Sequence, residues 1–326
     1  MDRRRFLAAA PIVYHLATPS SPARAATRPN SAVNLGFIGV GIRGTQLFRE
    51  FQAMANVNLV AAADAYTGCL ERAKEETGGK IQTGKDYRAV LDNKDVDAVV
   101  IATPDHLHHR MTLDALAAGK HVYIEKPMAW SIEQCRDIVA ASERRPKQIL
   151  QVGSSAKTSA QTAAAKEIIK SGAVGKVNQI RMENHRNSPE GAWVYPVPPD
   201  ASPETVDWAR FLGNSPKKAF NANIFFRWRC WWEYSGGVAT DLFVHLLTGL
   251  HEFMDIAGPK SVVSQGGIYR WKDGRTVPDL MQSVFDYGDF LAEMHVNLGN
   301  LRGSGQSTII HGSDGTLVFE GRRKLV

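Results

Sequence analysis

The chain has 326 residues, 44% of them hydrophobic and 22% charged, which is long enough for two domains with cores of their own. It contains no run of 18 or more apolar residues, so no transmembrane helix is expected. The formal charge is +6, but there is no Lys/Arg block beyond the N-terminus to point to a nucleic-acid partner, and Cys69, Cys135 and Cys230 are too scattered for a zinc site or a disulfide framework.

The first 30 residues read as a targeting segment and linker. Arg3-Arg4 is followed by Arg5, Phe6 and Leu7, a modestly apolar stretch, and the small-x-small site Ala23-Arg24-Ala25. This resembles a twin-arginine export signal, which implies a periplasmic or otherwise exported protein. Cleavage after Ala25 removes four arginines and one aspartate and lowers the net charge from +6 to +3.

Residues 31–153 read as a dinucleotide-binding domain. The apolar run from Val33 to Val40 suits a buried parallel strand. It ends in Gly39, Gly41 and Gly44, spaced G-x-G-x-x-G, with Ile42 and Arg43 inside the loop and a helix from Thr45. That strand–loop–helix context is what gives the motif its meaning. Gly39 permits the tight turn, Gly41 lets the backbone approach a pyrophosphate, and Gly44 lets helix and strand pack closely. The helix N-terminus offers free N–H groups to the phosphates.

A second strand, "VNLVAAAD", ends in Asp64, where a carboxylate would accept the adenosine ribose hydroxyls and repel a 2′-phosphate. No Lys or Arg follows in "DAYTG", so NAD is expected rather than NADP.

Strand and helix patterns then alternate: "CLERAKEETG" and "DYRAVLD" as helices, "DAVVIATP" as a strand, "HHRMTLDALAAG" as a helix and "HVYIEKP" as a strand. A helix capped by Ser131 and the strand "QILQVG" complete the series. Such alternation implies a doubly wound parallel sheet with ligands at the carboxyl ends of the strands. Thr103, Pro104, His108, Glu125 and Lys126 are therefore placed at the cofactor site. His106, His108 and His109 beside Asp105 resemble a metal cluster, but no further ligands have metal spacing, and no metal is expected.

Residues 154–326 read as a second, α/β domain. "QTAAAKEIIKSGAVG" is a helix and "KVNQIRMENHRN" a strand. The Pro-rich stretch from Ser188 to Glu204 reads as a loop over the active site. The segment after it is rich in aromatic residues; there Arg229, Trp232 and Tyr234 are the expected substrate contacts, with most of the other aromatics in the core. The end of the chain alternates like an antiparallel sheet.

Between these lies "GGVATDLFVHLLTGLH", Gly236 to His251, a nearly apolar helix that carries Asp241 and His245 four residues apart, with Thr248 one turn on. By itself such a pair is more often a satisfied buried hydrogen bond than a catalytic device.

Taken in order, the Gly39 fingerprint, "IATPDHLHH", "AGKHVYIEKPMA" and "GGVATDLFVH" resemble the Gfo/Idh/MocA oxidoreductase family over nearly all of the chain after residue 30. The resemblance implies an N-terminal Rossmann domain and a C-terminal α/β domain whose large, mostly antiparallel sheet forms a homo-oligomer interface. It also implies a catalytic set made of the Lys of Glu-Lys-Pro with an Asp and a His four apart: Lys126, Asp241 and His245. The implied reaction is hydride transfer between NAD and a hydroxyl of a sugar or sugar derivative, with His245 as base. Two alternatives remain open on the same fold: a redox-neutral NAD-dependent glycosidase, and a non-catalytic NAD-binding regulator. Relatives generally continue beyond a segment like "GSDGTL", so a longer C-terminus is expected.

Overall fold

The computed structural model describes residues 32–300 and 305–320, with the pairs 14–15 and 324–325. The export signal read at residues 1–30 lies outside the described residues, save for Tyr14–His15, which pairs as a two-residue strand with Lys324–Leu325.

Two compact units result. The first is built on a six-stranded parallel sheet in the order Gln82–Gly84, Val57–Ala63, Val33–Ile38, Ala98–Ile101, His121–Glu125, Leu150–Gly153. Its central strands are mostly apolar because both of their faces are buried. Leu35, Phe37, Ala62 and Val100 point to one cluster; Ile38, Ala61, Ala63, Val99, Ile101, Val122 and Ile124 point to the other. Burying a side chain such as Phe37, fully inaccessible here, contributes about 1.5–3 kcal/mol. The order steps outward in both directions from Val33–Ile38, so the switch point falls beside the glycine loop, where such sheets bind ligands.

The second unit is an eight-stranded mixed sheet, mostly antiparallel, with one parallel pair between Val177–His185 and Leu291–Asn297. Its strands alternate: Ile180, Met182, Ala292, Met294, Val296 and Ile310 are buried and the residues between them are not. The helices Ala160–Lys170 and Val244–Met254 belong to this unit. The fold expected from the sequence is thus present: a Rossmann sheet followed by a largely antiparallel one.

The division of the chain differs from the simple cut after residue 153. Trp193–Asp241 joins the parallel-sheet unit, while Ser154–Ala192 and the chain from Leu242 onward form the other. The reason is local pairing. Asp207 N–H donates to the Ala65 carbonyl at 2.8 Å and Thr67 N–H to the Thr205 carbonyl at 3.0 Å. Tyr66 and Val206 form an antiparallel bridge, and Val206 is buried in the same cluster as Phe37. A composition that reads as loop and aromatic filler therefore completes the first unit's wall.

Candidate active site

The glycine loop follows the strand Val33–Ile38. Gly39 has φ +89°, and a Cβ there would lie 2.8 Å from the Ala102 backbone. A Cβ on Gly44 would lie 2.1 Å from the Gly39 carbonyl oxygen, so only glycine lets this helix start so close to the strand. A Cβ on Gly41 would meet nothing within 4 Å, which leaves that backbone open to a ligand.

Both sides of the Val40 peptide are pinned. Its N–H donates to Asp64 Oδ2 at 2.8 Å, and its carbonyl accepts from Arg72 Nη2 at 2.7 Å. Asp64 Oδ1 accepts the Tyr66 N–H at 2.9 Å. The carboxylate so held ends its strand and keeps lone pairs for ribose hydroxyls.

These residues open onto a cavity of about 980 Å³. Of the positions expected at the cofactor, Gly39, Gly41, Ile42, Arg43, Asp64, Thr103 and Pro104 line it. So do residues that the sequence did not single out: Tyr66, Arg72, Tyr195, Pro196, Pro198 and Arg210. The volume, the free N-terminus at Gly41 and the anchored Asp64 fit a dinucleotide.

The Pro-rich loop does reach this cavity, and it is held there at the Asp64 end. Tyr66 Oη donates to Asp200 Oδ1 at 2.6 Å, and Lys85 Nζ to the Glu204 carbonyl at 3.1 Å.

Four expected cofactor residues, Gly44, His108, Glu125 and Lys126, do not line the cavity. Gly44 works by close packing, as above. His108, 1% exposed, does not line the cavity. Its ring nitrogens lie 2.7 Å from the Pro127 carbonyl and 2.9 Å from the Thr103 carbonyl, tying together the ends of two neighbouring strands. Glu125, also buried, accepts Arg43 Nε at 2.8 Å and the Lys126 N–H at 3.1 Å. The three histidines of "PDHLHH" go to separate partners: His106 to the Phe211 carbonyl, His108 as described, and His109 to Asp137.

Lys126 follows the strand His121–Glu125 directly. Its Nζ donates to Asp241 Oδ1 at 2.9 Å and to the Asp241 carbonyl at 2.8 Å. Arg229 Nε donates to the same Oδ1 at 3.2 Å, with its guanidinium 4.1 Å over the Trp228 ring. Burial by itself would raise the Asp241 carboxyl; the Lys126 and Arg229 charges outweigh it and hold the group below the ordinary carboxylate range. Asp241 is therefore a fixed anion between two cations, only 6% exposed.

The helix read from Gly236 to His251 is not uniform. It opens with a π-helical turn, Ala239–Phe243, and becomes α-helical only at Val244. Gly237, at φ +59°, releases the chain from regular geometry just before it, and Lys126 satisfies the Asp241 carbonyl inside the widened turn. Turns of this kind recur at functional sites. His245 stands four residues beyond Asp241, second in the helix Val244–Met254.

Two expected substrate contacts have partners within the protein. Tyr234 is fully buried, with ring centroids 5.0 Å from both His106 and Phe211, and serves the core of the first unit. Thr248 spends its hydroxyl on the Val244 carbonyl at 2.7 Å, a back-bond within its own helix. Arg229 lines the cavity, and Trp232 is 43% exposed.

Comparison with known proteins agrees with this geometry. Residues 33–154 match the model of the oxidoreductase family with an NAD-binding Rossmann fold, and residues 162–318 match the GFO/IDH/MocA C-terminal domain. The chain belongs to the Gfo/Idh/MocA family. Its first unit is an NAD-binding Rossmann domain.

Among curated relatives, it is 36% identical over 123 residues to glycosyl hydrolase family 109 protein 1 of Shewanella sp. strain MR-4, covering 35% of this chain and 27% of that one. It is 30% identical over 143 residues to inositol 2-dehydrogenase/D-chiro-inositol 3-dehydrogenase of Lactiplantibacillus plantarum, covering 44% and 41%. Both matches span less than half of the relative's length. The crystal structure of GenD2 from gentamicin A biosynthesis, in complex with NAD, superposes over 93% of this chain and 75% of that one, with a TM-score of 0.72 at 17% identity. That likeness establishes a shared fold.

Proposed function

We propose that this family member is an exported oxidoreductase that moves a hydride between tightly held NAD and a hydroxyl of a sugar or sugar derivative. The observation that carries the reading is the Lys126–Asp241–Arg229 cluster at the carboxyl end of a Rossmann strand, where the fold directs ligands. The relatives matched here are named for inositol or glycoside chemistry, which supports a polyhydroxylated substrate.

NAD supplies the hydride acceptor when bound. The protein has to orient the carbon that is oxidised and take the hydroxyl proton. His245 is assigned the base, since an imidazole accepts a proton near neutral pH. Lys126, held in place by the Asp241 carboxylate and carbonyl, stabilises developing negative charge on the substrate oxygen. Arg229 and Trp232 are assigned to substrate hydroxyls and to a sugar face.

Export rests on the twin-arginine pattern at Arg3-Arg4. It combines with the walled cavity in one expectation: an enzyme exported with its cofactor already bound must retain it. Self-association is assigned to the mixed sheet, whose outer strand Ser261–Gly267 is exposed at six of seven positions. Sedimentation of wild type against Val263→Glu tests that assignment, and a monomeric wild type removes it.

The deciding experiment is a panel of monosaccharides, inositols and glycosides, followed by NADH absorbance and by product analysis. Oxidation with stoichiometric change in bound NADH supports the dehydrogenase. Glycoside cleavage with no net NADH change decides for the redox-neutral glycosidase, a reading favoured by the glycosyl hydrolase family 109 match.

A further inference from the structure

Asp105 opens the helix Asp105–Ala117 and is only 2% exposed. The Gly236 N–H, shortly before the π turn Ala239–Phe243, donates to its carboxyl. Its Oδ2 is buried and has no hydrogen-bond partner. A buried carboxylate oxygen left bare is costly unless it carries a proton or faces cations. The charged groups acting on it come from three other segments: Lys126 after its strand, Arg229 from the short turn Trp228–Cys230, and Asp241 from the π turn. On its own helix stand His106 and His108. Burial lowers both, His106 to about 4, so neither adds a cation at neutral pH.

We propose that Asp105 is a proton-holding positioning residue. By gaining or losing a proton at its bare oxygen, it sets the net charge of the buried Lys126–Asp241–Arg229 cluster.

The opposing influences are balanced closely enough for this role. The helix N-terminus, the Gly236 N–H and two cations favour the anion. Burial first, and then the Asp241 charge, favour the acid, and the carboxyl is pushed up to about 7. With Asp105 protonated, the four side chains carry two cations and one anion. With it ionised, they are neutral. A site whose cofactor and substrate change charge during turnover is thus given a buffering group that never has to touch either one. The proposal rests on Lys126 and Asp241 being the working pair, but its test needs no substrate and stands whichever reaction the site runs.

The experiment follows the carboxyl carbons of [13C]Asp-labelled full-length protein by NMR from acid to alkaline pH, with the Asp241 resonance identified by its loss in Asp241→Asn. One Asp carboxyl is expected to titrate near 7 and to be missing in Asp105→Asn, and the Asp241 resonance to lose its response at the same pH in that variant. Should Asp105→Asn fail to fold, Asp105→Glu removes the labelled signal while keeping a carboxyl. The proposal is overturned if every Asp carboxyl has finished titrating by roughly pH 5, near the ordinary range. It is equally overturned if the Asp241 resonance follows the same pH course in wild type and variant.

Discussion

The two ends of the candidate site in the first unit are built from opposite materials. The glycine-loop end relies on backbone: an open peptide at Gly41, a Cβ-free approach at Gly44, and N–H groups pinned by one carboxylate, Asp64. The Lys126 end relies on charge: two cations and two carboxyls at low exposure, drawn from positions 105, 126, 229 and 241. The first end needs exact shape and little electrostatic compensation. The second needs every partner present, because a buried charge without its partner costs far more than the pair contributes. Binding can be tuned at the first end by small steps, while the second fails as a unit.

That contrast can be broken at the charged end first. Lys126→Ala and His245→Ala are each expected to lower turnover about 10²–10⁴-fold with NAD binding nearly unchanged, measured as single-turnover rates beside NAD titrations. Near-normal turnover in either variant removes that residue from the mechanism.

Asp241→Ala should be the most destabilising single change at this end. It leaves Lys126 and Arg229 without their buried anion, at a cost of about 3–5 kcal/mol in denaturant unfolding. A loss below about 1 kcal/mol, the range of exposed pairs, would show that solvent reaches the cluster and that its charges are not mutually dependent.

At the glycine end, effects should be smaller and specific to the cofactor. Asp64→Ala strands the Val40 and Tyr66 N–H groups and removes the repulsion of a 2′-phosphate. About 1–3 kcal/mol of stability and most of the preference for NAD over NADP should go, as read from paired dissociation constants. An unchanged ratio would confine Asp64 to anchoring the loop.

Smaller again, Tyr66→Phe removes one hydrogen bond to Asp200 and should cost about 0.5–1.5 kcal/mol. Its signature is a faster NAD off-rate with little change in on-rate. Wild type purified without added nucleotide should carry near-stoichiometric NAD(H) through dialysis; an empty protein would argue against retention under the Tyr195–Pro198 wall.

The pH dependence separates the two carboxyls of the cluster. Asp241, held below its unfolded value, contributes stability that is present above about pH 4 and lost on further acidification. Asp105, held above its unfolded value, contributes stability that is present below about pH 4 and lost as pH rises through about 7. Thermal unfolding of Asp105→Asn should therefore gain on wild type between roughly pH 4 and pH 7. A constant difference in Tm would remove the linkage.

What the sequence determined by itself is the part governed by local rules. The parallel sheet follows from strands apolar on both faces, the mixed sheet from alternation, and the dinucleotide loop from three glycines between a strand and a helix. Lys126, Asp241 and His245 were reached through resemblance, because a lone Asp–His pair on an apolar helix has no periodicity that marks it as chemical.

Tertiary structure decided the rest. Tyr234 and Trp232 look alike in the chain, yet one is sealed against Phe211 and the other is exposed. His108 and Glu125 proved to hold the loops in place and not to line the cavity. Trp193–Asp241 crossed from the expected second domain to complete the first. Asp105 stands out in the chain only as the neighbour of three histidines, yet its Oδ2 is buried without a partner and its carboxyl feels the charges of Asp241, Lys126 and Arg229. The physical reason is common to all four. Burial and charge proximity depend on which distant segments fold together, and a chain read residue by residue carries only the short-range part of that information.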